Sequence, residues 1–92
     1  MEKDNRYFNP DNTTHQDLVD AVEQVLKNTK GKPLETPSLA TKIDEETNVM
    51  SESSAKSLLY YAREYIIEHK DVETERGKGE GGSAPWEWRY SK

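Results

Sequence analysis

Apolar residues recur every three or four positions after residue 13, where Leu18, Val22, Val25 and Leu26 form one stripe and Asp17, Asp20, Glu23, Gln24 and Lys27 lie outside it. That period predicts an amphipathic helix over residues 14–29. Thr13 ahead of it, with Gln16 three residues later, has the form of a capping box, and Gly31 is its natural stop. Upstream, residues 1–12 show no periodicity and hold the breaker cluster Asn9-Pro10-Asp11-Asn12, so they are read as a disordered tail. Residues 13–92 are read as one domain.

Lys32-Pro33-Leu34-Glu35 is a short extended connection, with a minimal third strand near Leu34, because Pro33 disfavours helix at Lys32 and cannot donate to a ladder. A second helix over 37–46 opens at Thr36-Pro37-Ser38, with Thr36 as N-cap and Pro37 where its missing N–H is not needed. Leu39, Ala40 and Ile43 are its buried stripe, and Asp44-Glu45-Glu46 is expected to face solvent. Thr47-Asn48 then turns the chain, Val49 or Met50 plugs the angle, and Ser51 caps a third helix over 52–69.

At about 100° per residue, Ala55, Leu58, Leu59, Ala62, Tyr65, Ile66 and His69 of that helix share an arc of roughly 120°, the width of a core-facing stripe. Ser53, Lys56, Ser57, Tyr60, Arg63, Glu64 and Ile67 lie opposite. Small hydroxyls near a helix N-terminus allow close approach to a duplex. Lys56 and Arg63 have the reach for phosphate or guanine edges, and Tyr60 for the sugar-phosphate backbone.

After His69 the period becomes two, predicting strands over 71–76 and 85–90 joined by the glycine-rich segment from Gly77 to Ser83. Pairing Thr74 with Trp88 would set Glu73 opposite Arg89 and Arg76 opposite Trp86, with opposite charges adjacent and a cation beside a ring. Trp88 and Tyr90 are expected to pack on the helices. Pro85 and the flanking charges mark edge strands. The fold class is therefore α+β, mainly helical, with three helices followed by a two-stranded antiparallel hairpin.

Helix, short extended segment, helix, turn, helix and hairpin, in that order, resemble the winged helix-turn-helix superfamily from Thr13 to Tyr90. The resemblance is carried by Leu39-Ala40 followed by Ile43, the Val49 plug, Ala55 and Leu58, and the glycine-rich hairpin closing on Trp86 and Trp88. It implies that the third helix enters the major groove of DNA through Ser53, Lys56, Ser57 and Tyr60. The wing would bring Arg76 and Lys78 to the backbone or minor groove, with Arg63 and Arg89 on phosphate. The chain departs from the family pattern between Ile43 and Val49, where the turn is longer than the minimal one and includes three consecutive acids.

Composition narrows the function classes. The 92 residues allow one domain, and 32% hydrophobic content gives it a small core, too small for a water-excluding cleft. No nucleophile, base and orienting group occur together, so no enzyme is expected. Without cysteine there is no thiolate metal site, His15 and His69 lack companion ligands, and no cofactor is expected. No apolar run is long enough to cross a bilayer, and the start lacks a signal-peptide core, which together read as a soluble, cytoplasmic protein.

The formal net charge of −5 opposes nucleic-acid binding, but residues 51–70 balance Glu52, Glu64 and Glu68 with Lys56, Arg63 and Lys70. Double-stranded DNA is therefore the first partner to expect, for a small transcriptional regulator; a homodimer would offset the weak binding of one domain. The alternative is a protein-interaction module, which would use the acids and an exposed Tyr60, Tyr61 and Ile67.

Overall fold

The computed structural model describes residues 8–76 and 85–91. Three helices, α1 (Thr13–Asn28), α2 (Thr36–Thr47) and α3 (Glu52–His69), pack with three strands, β1 (Leu34–Glu35), β2 (Val72–Arg76) and β3 (Trp86–Tyr90). The class is α+β, mainly helical. Every element matches its sequence-based bounds to within one residue, the usual uncertainty of helix and strand ends.

Both ends of α1 are closed by side chains. The N-cap is Asn12, whose Oδ1 accepts from the His15 N–H at 3.1 Å; the expected cap, Thr13, is already helical. An Asx side chain reaches the third helical amide as readily as a hydroxyl, which moves the start by one residue. At the other end the Thr29 hydroxyl lies 2.8 Å from the Leu26 carbonyl and 2.9 Å from that of Lys32. Lys30 (φ 58°) and Gly31 (φ 88°) then turn the chain through the left-handed region, where glycine carries no Cβ penalty.

Phe8, within the expected tail, is packed into the core. Its ring is buried, 5.7 Å from the His15 ring and 5.0 Å from that of Tyr65. Asn9 and Pro10 are also tied down, since the Asn9 N–H donates to His15 Nδ1 at 2.9 Å and the Pro10 carbonyl accepts from Gln16 Nε2 at 2.9 Å. One aromatic side chain among polar neighbours has no period to reveal it. Residues 1–7 of that expected tail lie outside the described residues.

Pro37 falls in the first turn of α2, but the helix starts at Thr36 after Glu35, with no side-chain cap. The Thr36 hydroxyl is engaged elsewhere: it donates to the Trp86 carbonyl at 3.0 Å and accepts from Trp88 Nε1 at 2.9 Å. A hydroxyl is both donor and acceptor, so one atom satisfies two groups of β3. Asn48 closes α2 in the left-handed conformation, φ 57°. Ser51 caps α3, accepting from the Ser54 N–H at 3.3 Å. Asp44, expected in solvent, is half-buried, and its Oδ2 accepts from the Glu52 N–H at 3.0 Å. A carboxylate at the positive end of α3 is favoured there, and it ties α2 to α3.

The sheet is antiparallel in the order β1-β3-β2, so the last strand lies in the middle. Its register pairs Thr74 with Trp88, Glu73 with Arg89 and Arg76 with Trp86, as the alternation predicted, and Leu34 with Trp88 on the other side. Trp88 faces the helices and is 1% exposed. It joins Leu18, Leu26, Leu39, Ile43, Leu59 and Ile66, all fully buried, in one core. Each such side chain contributes roughly 1.5 to 3 kcal/mol on transfer from water.

Two residues of α3 depart from their expected faces. His69, placed on the core stripe, is exposed and stacks on Tyr65 at 4.0 Å with Nδ1 2.9 Å from the Tyr65 carbonyl. Ile67, placed outside, packs partly buried against the core. β2 packs against α3 and widens its buried face, which takes in Ile67, whereas His69 is the last residue of the helix. No helix among the described residues is long and apolar enough to cross a membrane.

Candidate nucleic-acid interface

The N-terminal half of α3 projects from the domain with little bulk. Ser53, Ser54, Lys56 and Ser57 are all exposed, while Ala55, Leu58 and Leu59 on the other face are buried. Tyr60 and Tyr61 follow, 67% and 44% exposed, with their rings edge to face at 5.2 Å. The helix therefore presents a ridge of small hydroxyls that ends in an aromatic pair.

Along one flank of this ridge, where α3 meets the Arg76–Trp86 end of the β2–β3 pair, runs an open groove of about 520 Å³. Lys56, Ser57, Tyr60 and Tyr61 line it from α3, Arg76 and Trp86 from the strands, and Thr36 and Pro37 from the start of α2. Four of the residues picked from sequence, Lys56, Ser57, Tyr60 and Arg76, thus meet in one groove. No carboxylate is among its described lining residues. Ser53 sits at the outer end of the ridge, in an adjoining recess that it lines with Asp44, Ser51, Glu52 and Lys56, so Lys56 borders both the groove and two carboxylates.

Two expected contact residues are placed differently. Arg63 is folded against the hairpin: its guanidinium lies 3.8 Å from the Trp86 ring centre and donates from Nη1 to Thr74 Oγ1 at 2.8 Å. Arg76 approaches the same ring at 4.8 Å. A guanidinium stacks on an indole at little desolvation cost, and these contacts tie Arg63 to the hairpin.

Arg89 is on the sheet face turned away from the helices, ion-paired with Glu73. The hydrogen bond that Arg89 donates to the Glu73 carboxylate, and then the charges of Glu73 and Glu75, raise the Arg89 pKa above the ordinary arginine value. Strand alternation makes this unavoidable: with Trp88 inward, Arg89 points outward. Lys78 lies outside the described residues.

Tyr61, Thr36 and Pro37 complete the groove, and the contact pattern read from α3 alone did not include them. A groove between two elements takes its second wall from residues distant in sequence, and no single periodicity shows that wall. Among the described residues no group of three or more His, Asp or Glu side chains is placed to hold a metal ion. Comparison of the chain with protein-family models, with curated proteins and with solved structures gives no match.

Proposed function

We propose that this chain is a winged helix-turn-helix DNA-binding protein, a small transcriptional regulator that lays α3 in the major groove and the hairpin along the adjoining backbone. The observation that carries this reading is the convergence of Lys56, Ser57 and Tyr60 of α3 with Arg76 of β2 around one groove free of carboxylates among its described lining. Lys56 and Arg76 supply the cations for phosphate, and the serines admit the helix to base edges. The cytoplasm of a cell is the compartment that suits such a partner.

Titrating the full chain with mixed-sequence duplex DNA at low salt, while recording backbone amide shifts, tests it. Shifts centred on Ser53 to Tyr60 and on Arg76, lost in Lys56→Glu and Arg76→Glu, are expected. Affinity should fall with salt with a slope set by only ~3 to 5 phosphates per protomer, because few cations face the groove. A homodimer would double that slope.

The exposed, edge-to-face pair Tyr60 and Tyr61 favours a second reading, a winged-helix module that docks a protein, since exposed aromatics are interface material. Absence of any shift at millimolar DNA would leave that reading in place of the first.

A further inference from the structure

The ridge of α3 has a second flank. Between the start of α1 and α3 runs another open groove, about 610 Å³, with Thr14 and His15 on one wall and Ser53, Ser54, Ser57 and Tyr61 on the other. We propose that this groove receives the sugar-phosphate backbone of the opposite DNA strand, so that the two grooves hold the two edges of one major groove. The proposal rests on the DNA-binding reading.

Charge distribution supports it. Of the 92 residues 18 are acidic, yet no carboxylate is among the described residues lining either flank of α3. The acids line other recesses: Asp44 and Glu52 at the tip of α3, in a recess that shares Lys56 with the first groove and Ser53 with the second, and Glu73, Glu75 and Glu87 on the outer face of the sheet. Two acid-free grooves on an acidic protein flank the same helix and share Ser57 and Tyr61. A helix about 10 to 12 Å across fills a major groove about 12 Å wide, which leaves one backbone to each side.

The two flanks differ in their chemistry. Lys56 and Arg76 line the first, whereas the second has neutral donors beside the apolar Met50 and Leu58, and no lysine or arginine among its described lining. His15 Nδ1 accepts from the Asn9 N–H at 2.9 Å, so the ring proton belongs on Nε2, which is then a donor, alongside the hydroxyls of Thr14 and Ser54. Neutral donors hydrogen-bond phosphate and fix register but replace no counterion charge. Changes in the second groove should therefore alter affinity while leaving the salt slope as it is, whereas Lys56→Gln should lower both.

The test uses the full chain with Thr14→Val and Thr14→Glu, measured on duplex DNA across a salt series beside Lys56→Gln. Thr14 lies in the first turn of α1, where an added acid favours the helix dipole, so both variants are expected to stay folded. Thr14→Val should weaken binding at an unchanged slope, and Thr14→Glu should weaken it by about fivefold or more at low salt through like-charge repulsion. Amide shifts at Thr14, His15 and Ser54 of the unaltered chain give an independent readout.

Normal binding by both Thr14 variants, with shifts confined to Lys56, Tyr60 and Arg76, would overturn the second groove and leave DNA binding standing. No binding by the unaltered chain would overturn both.

Discussion

Trp88 Nε1 and Thr36 Oγ1, 52 residues apart, are joined by a 2.9 Å hydrogen bond at the start of α2, and the same hydroxyl donates to the Trp86 carbonyl. Removing that hydroxyl leaves a buried indole N–H without an acceptor. Thr36→Val should cost about 1 to 3 kcal/mol, and Thr36→Ser, which keeps the oxygen, considerably less. Urea denaturation of the two variants separates the hydrogen bond from the methyl group.

Asp44 acts at a distance of eight residues, accepting from the Glu52 N–H at 3.0 Å. Asp44→Ala should lower stability by about 1 kcal/mol, the usual cost of a lost helix cap, and Asp44→Asn should recover most of it. Thermal unfolding followed by circular dichroism measures both. Equal losses in the two variants would show that charge at the end of α3, and not the hydrogen bond, is the stabilising element.

Lys70 joins the end of α3 to α1, with Nζ 2.8 Å from Asp20 and 3.9 Å from Glu23. The hydrogen bond Lys70 donates to Asp20 raises its pKa, partial burial opposes this, and the charges of Asp20 and Glu23 add to the rise. A lysine pKa higher in the folded than in the unfolded chain contributes stability that is fully present below the unfolded value, about 10.4, and lost as pH rises through the folded one. Lys70→Met should remove about 0.5 to 1 kcal/mol near neutral pH, and the gap between variant and parent should close in strong alkali or high salt. A gap that persists above pH 11 would assign the loss to packing of the lysine stem.

Phe8 belongs to the core although only a short stretch of described chain precedes α1. Phe8→Ala should destabilise the domain by about 3 kcal/mol, the low end of the range for buried aromatics. The same change should quicken amide exchange at Asn9 and at the first turn of α1, which hydrogen-exchange mass spectrometry would resolve. Unchanged exchange there would mean that Asn12 alone holds the helix start.

Helices and sheet register were legible in the sequence because each rests on a short period with one buried face. Slipping Trp88 by one place would have turned Trp86, Trp88 and Tyr90 all to solvent. The contact surface was legible only in part. Lys56, Ser57 and Tyr60 follow from the helix wheel, but Arg63 sits on the same wheel face and is claimed by Trp86, which is 23 residues away. Phe8, Asp44 and Thr36 were misplaced for the same physical reason: their partners lie outside the local window, at Tyr65, Glu52 and Trp88.

The strand order β1-β3-β2 has a consequence for how the domain is made. Both flanking strands leave the ribosome before the one they flank, and until Trp88 emerges they have no ladder partner and the helices no indole to close on. A nascent chain arrested between α3 and β3 would hold three helices around an open seam, exposed to chaperones and proteases. Pairing β1 with β3 closes a loop from Leu34 to Trp88 rather than extending a neighbouring hairpin, so the sheet is completed through a long-range contact.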